Sequence, residues 1–143
     1  MSTDASAPAV DVRKFLLALL ADLPLDRNYD PPRFIDAHRD IHIFFWQLKQ
    51  RRDTKIFVQD LLFDTNGNYP HCEQIDEFLQ EFQLSSLISR QNPAYKYNDV
   101  GIANTPYGDE FRRDLGEPLR IVYDGILKEF RSALGVRATK VTG

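Results

Sequence analysis

The sequence predicts a mainly α domain with a small β-hairpin, and three observations carry that expectation. Apolar residues recur at helical spacing in several separate runs. Strand-forming residues gather only in short stretches, at Lys55-Ile56-Phe57-Val58 and on either side of Gln91-Asn92-Pro93-Ala94. Finally, 43% hydrophobic and 27% charged residues over 143 positions suit one packed domain. The expected organisation is a disordered N-terminus over 1–10, a single domain over 11–135 with flanking helices at both ends, and a flexible tail over 136–143.

Asp11 is a fitting N-cap for a first helix ending near 22, with Val12, Phe15, Leu16, Leu19 and Leu20 on its apolar stripe. Three prolines and three charged residues make 23–32 a loop. A second helix is expected over about 32–51, its main stripe being Phe34, Ala37, Ile41, Phe44, Phe45 and Leu48. Ile35, Ile43 and Trp46 fall on a second flank of that helix, which must therefore be covered on more than one side. A short strand at 55–58 and a short helix at 59–63 follow. Asp64-Thr65-Asn66-Gly67-Asn68 is a turn, since Asn and Gly tolerate positive φ.

Pro70 opens a helix to about 84 with Cys72, Ile75, Phe78, Leu79 and Phe82 on one face. Leu87-Ile88-Ser89-Arg90 and Tyr95-Lys96-Tyr97 form the arms of a hairpin. Thr105-Pro106 starts another helix, which Gly116 and Pro118 interrupt. The last helix spans about 118–134, with Leu119, Val122, Tyr123, Ile126, Phe130 and Ala133 inward and Gly135 as its stop.

Composition excludes several functions. A net charge of −3 is not that of a chain whose whole surface grips phosphate. Cys72 is the only cysteine, which removes disulfide frameworks and multi-cysteine metal sites. No apolar run approaches the ~20 residues of a membrane span. The run at 15–21 faintly suggests a signal-peptide core, but it is short and follows Asp4 and Asp11, so a cytoplasmic protein is expected.

Across 41–111, about half the chain, the order of elements resembles a winged helix-turn-helix domain. The similarity is strongest from Tyr69-Pro70 to Arg90, where Ile75, Phe78, Leu79 and Phe82 lead into Leu84, Leu87 and Ile88. Thr105-Pro106-Tyr107-Gly108 also resembles that superfamily's entry into its next helix. Ser85-Ser86 stands where many members have a glycine before the wing. The resemblance implies a winged-helix-like core with flanking helices, serving either DNA reading or protein binding.

Charge bears on that choice. In such a fold the helix over 70–84 would enter the major groove. Its outward face carries Glu73, Gln74, Glu77, Gln80 and Glu81, three carboxylates without a cation, and phosphate contact needs Lys or Arg. Arg90, Tyr95, Lys96 and Tyr97 on the wing, and Lys49, Arg51, Arg52 and Lys55 after the second helix, are the residues that a DNA-binding alternative would use.

Catalytic and metal motifs are weak. His38 and His42 share the i,i+4 spacing of helical metal ligands, but His71 and Cys72 diverge by about 100° on a helix. Cys72 with His38 or His42 as a nucleophile pair would need an unseen tertiary contact. A calcium loop from Asp64 fails, with Tyr69 at its sixth place and Ile75 at its twelfth. No phosphate loop or nucleophile elbow occurs. The expectation is therefore a non-catalytic interaction module, a regulatory or adaptor subunit without cofactor or metal, binding a protein partner through Ile35, Ile43 and Trp46 unless the first helix packs on that flank and makes them core. Its flanking helices are expected to leave apolar stripes uncovered and to form a homodimer. The alternative is a DNA-binding transcriptional regulator.

Overall fold

A computed structural model describes residues 10–23, 33–35, 38–85, 88–89, 97–100 and 106–134. The domain is mainly helical, with elements in the order α1 (Val12–Ala21), β1 (Arg33–Ile35), α2 (His38–Gln50), α3 (Glu73–Leu84), β2 (Ile88–Ser89), β3 (Tyr97–Val100), α4 (Tyr107–Asp114) and α5 (Glu117–Ala133). The expected disordered start, the tail, and the wing residues Arg90, Tyr95 and Lys96 lie outside the described residues, apart from Val10.

The first helix starts as the sequence indicates. The Asp11 side chain accepts from the Lys14 amide at 3.1 Å, satisfying one of the free first-turn donors. Beyond its first turn the helix is buried all round, since Phe15 through Ala21 are all in the core. It packs against α4, while α2 packs against α5. Phe15 is the centre of an aromatic cluster, with ring centroids 4.8 Å from Phe57, 5.5 Å from Phe45, 5.9 Å from Phe111 and 6.2 Å from Tyr123. Phe44 and Phe130 extend it between α2 and α5 at 5.3 Å.

This burial corrects the premise of the expected dimer for α1, whose stripe is covered by the chain itself. On α5, Tyr123, Ile126 and Phe130 are buried, Leu119 and Val122 are half-buried and Ala133 is exposed. The end of α1 is also tied down by polar groups. Arg131 donates to the carbonyls of Asp22 and Leu23 at 2.7 and 3.1 Å, and Tyr123 donates to the Asp22 carboxylate at 2.8 Å. Gly108 is what lets α4 come this close: a Cβ there would lie 2.0 Å from Asp22 Oδ1.

Four expected elements differ. The second helix begins at His38, because residues 33–35 instead pair antiparallel with β3, Ile35 lying opposite Tyr97. Ile35 therefore shares no helical flank with Ile43 and Trp46. Strand β3 also pairs with β2, giving a sheet ordered β1-β3-β2. The expected strand at 55–58 is a 3-10 turn over Lys55–Phe57, and no helix forms at 59–63. Successive three-residue turns, Phe57 to Thr54, Val58 to Lys55 and Leu61 to Val58, place Phe57, Val58 and Leu61 in the core. Thr54 Oγ1 anchors the start of this run on the Leu48 carbonyl at 2.7 Å.

The third helix starts at Glu73 rather than Pro70. His71 instead bonds Asp64 through both backbone groups, at 2.7 and 2.9 Å, which holds it extended. That bridge closes the 64–71 turn. The Asp64 carboxylate accepts from the Asn66 amide at 2.9 Å, and Gly67 needs no positive φ.

Candidate functional site

The junction of α2, the loop over 61–72 and α3 gathers the titratable groups that helical spacing kept apart. His42 projects from α2 with no exposed surface. Its Nε2 lies 2.8 Å from Asp76 Oδ1 on α3, and His71 Nε2 lies 2.6 Å from Asp76 Oδ2. The two imidazoles stack with centroids 4.6 Å apart and planes 20° from parallel. Tyr69 stands beside both rings, at 5.8 and 6.1 Å. Next to this cluster an open cleft of about 510 Å³ is lined by Leu62, Phe63, Asp64, His71, Glu73 and Gln74.

His42, His71 and Asp76 are a donor set of the kind that holds zinc. The hydrogen bonding behind His42 runs the other way. A metal-bound imidazole donates its remote N–H to an acceptor. Here the remote Nδ1 faces a donor, the Cys72 amide, at 3.0 Å. Nδ1 must therefore be the bare nitrogen, and the single proton of the neutral ring sits on Nε2, where it is donated to Asp76. A metal at Nε2 would have to displace that proton with no other nitrogen to take it.

The electrostatics agree with this assignment. Burial pushes His42 below the ordinary imidazole value, against the pull of Asp76. Partial burial pushes the Asp76 carboxyl up, but the hydrogen bonds from His42 and His71 outweigh it and leave Asp76 below the usual range. Burial raises the Cys72 thiol, so it holds little thiolate. The Cys72–His42 contact runs through the backbone amide rather than the sulfur. It therefore lacks the thiol-to-base link of a nucleophile pair.

Nothing in helical periodicity points to this cluster. His42 and His71 are brought together by the irregular path of 51–72, and His71 precedes Asp76 by a spacing that is not a helical neighbour. Gln74 was expected outward with its acidic neighbours, yet it is half-buried and works inward. Its Oε1 accepts from the Leu62 amide at 2.9 Å, and its Nε2 reaches the Asp60 carbonyl at 3.4 Å.

The outward face of α3 is otherwise as its sequence indicates, with Glu73, Glu77, Gln80 and Glu81 exposed. No Lys or Arg lies on that helix; Arg13 of α1 pairs with Glu81. The basic cluster after α2 is partly engaged. Lys49 donates to the Leu61 carbonyl, Arg51 bonds Glu129 at 2.7 Å and lies 3.7 Å from Asp53, while Arg52 and Lys55 are exposed. Of the expected partner residues, Ile43 and Trp46 are half-buried on α2. Tyr97 lies in β3, the central strand. No helix among the described residues is long and apolar enough to cross a membrane.

Comparisons with protein-family models, with curated proteins and with solved structures find no match to this chain.

Proposed function

We propose that the chain is a non-catalytic protein-binding module with a winged-helix-like arrangement, a regulatory or adaptor subunit rather than a reader of DNA. The order α1-β1-α2-α3-β2-β3-α4, with β1 beside β3, supports that arrangement. It shifts the corresponding first helix to α1 and the first strand to 33–35. The chain departs from a tight helix-turn-helix in the long 51–72 connection between α2 and α3.

The observation that carries the protein-binding reading is the exposed face of α3. Its carboxylates at Glu73, Glu77 and Glu81 oppose phosphate, and the same helix ends in Leu84, 81% exposed. An acidic face ending in an exposed apolar side chain suits a protein surface better than a DNA groove. Ile43 and Trp46, half-buried on α2, are the further contact residues of this reading.

Fluorescence anisotropy against random genomic duplexes tests it. Binding should stay at ~10⁻⁴ to 10⁻⁶ M in physiological salt, as for non-specific contact. A tight, sequence-selective complex that weakens on substitution of Arg52 and Lys55 would instead establish the DNA-binding alternative.

A further inference from the structure

His42 has no free valence for a second proton. Its Nε2–H is donated to Asp76, and its Nδ1 accepts the Cys72 amide. A proton arriving at Nδ1 would face that N–H across 3.0 Å, two donors pointing at one another. One of them must leave, and the residue that can leave is Cys72, at the end of a loop rather than in the middle of a helix.

We propose that the α2–loop–α3 junction is an acid-released clasp, in which protonation of His42 at Nδ1 expels the Cys72 amide and frees the C-terminal end of the loop before α3. It reaches beyond the protein-binding reading and does not depend on it.

The surroundings of His42 fit such a device. From α3 it meets the Asp76 carboxylate, and from the loop it meets His71, Tyr69 and Cys72. On α2 itself, Lys49 reaches away to the Leu61 carbonyl. Asp76 would remain as counter-ion to the imidazolium, so α3 stays attached to α2 while the end of the loop departs. The stacked His71 ring adds a second push, since a charge on His42 repels any charge on its neighbour. The N-terminal end of the loop stays fixed, with Leu61 in the core and its carbonyl bonded by Lys49, so the part released is its C-terminal end. That end gives up the His71–Asp76 bond and the capping of the Ile75 amide by the Cys72 carbonyl at 3.1 Å. The Cys72 side chain, wholly buried in the closed form, becomes accessible.

The thiol gives a direct readout. Reaction of Cys72 with 4,4′-dithiodipyridine, a disulfide reagent usable in acid, is followed from pH 7.5 to 5, alongside hydrogen exchange of backbone amides. An ordinary buried thiol reacts more slowly as the pH falls, because thiolate is the attacking form. Divided by the rate of a free thiol at the same pH, the Cys72 rate reports the open population alone. For an ordinary buried thiol that ratio stays flat, whereas the clasp predicts a rise below about pH 6.5 of up to about tenfold per pH unit, as for uptake of one proton. Cys72 amide protection falls over the same range while α1 amides stay protected. His42→Gln should leave that ratio without the acid rise.

Imidazole ¹⁵N shifts of the wild-type protein decide the matter even where that variant fails to fold. They should show His42 as the Nε2–H tautomer at pH 7.5 and its protonation coinciding with Cys72 opening. Each of four results overturns the clasp: a Cys72 rate that stays in constant ratio to that of the free thiol as the pH falls, an Nδ1–H tautomer, equal loss of protection in α1, or zinc bound through His42 Nε2.

Discussion

The aromatic core around Phe15 joins five segments of the chain and the polar junction around His42 joins three, each about a fully buried central side chain, but by different physics. Phe15 meets Phe45, Phe57, Phe111 and Tyr123, contacts without direction whose worth grows with the apolar area removed from water. His42 meets Asp76 and the Cys72 amide, contacts that act only at the right angle and in one protonation state. The difference teaches where this fold is tolerant and where it is conditional. The aromatic centre can lose shape by degrees and hold over a wide pH range. The junction is intact or broken, and a single proton decides which.

The largest expected effect lies in the core. Phe15→Ala should cost about 3–5 kcal/mol, read from urea unfolding, and the cost should be the same at pH 7.5 and 5.5. A pH-dependent loss would show that the two regions are not separable.

Asp76→Ala should cost about 1–3 kcal/mol at pH 7.5, because it leaves the buried His42 Nε2–H without an acceptor. The junction should also give the protein its acid sensitivity. The folded His42 binds its proton less readily than in the unfolded chain, so its contribution is fully present above about pH 6.5 and fades as the pH falls below that value. Asp76, held below the usual carboxylate range, contributes above about pH 4 and loses that contribution in a lower window. Urea midpoints measured at pH 7.5, 6 and 5 should fall in that order, and a midpoint rising towards pH 5 would contradict the assignment.

Tyr123→Phe probes a residue that belongs to both kinds of contact. Its ring lies in the aromatic cluster and its hydroxyl serves Asp22, whose carboxyl burial has already raised. Removing the hydroxyl should cost about 1 kcal/mol at neutral pH, measured by thermal melting, with no change in the Phe15 environment seen by aromatic NMR shifts. The smallest effect belongs to the Arg13–Glu81 pair at the surface. Glu81→Gln should leave the melting temperature unchanged within error, and added salt should have no further effect on it.

Much of the fold was legible because local rules and tertiary packing agree there. Asp11 caps α1, Pro118 lies in the first turn of α5, and the face bearing Ile75, Leu79 and Phe82 is buried. The acidic side of α3 was legible for the same reason, since its helical period fixes which residues face outward. The candidate junction was not. Its members lie on α2, on an irregular loop and on α3, and no periodicity links them.

By itself the sequence determined where the long helices run and which helix face carries charge, because capping and 3.6-residue periodicity act within a few residues of the chain; the helix it suggested at 59–63 does not form. Only the tertiary structure decided the rest. Whether Arg33-Phe34-Ile35 continues a helix or pairs as a strand depends on a partner some sixty residues away in β3. That Phe57 and Val58 enter the core from a 3-10 turn depends on Thr54 and the packing around Phe15. And His42 became the centre of a hydrogen-bonded cluster because long-range packing carried His71, Cys72 and Asp76 to it, an outcome that the spacing of residues along the chain does not encode.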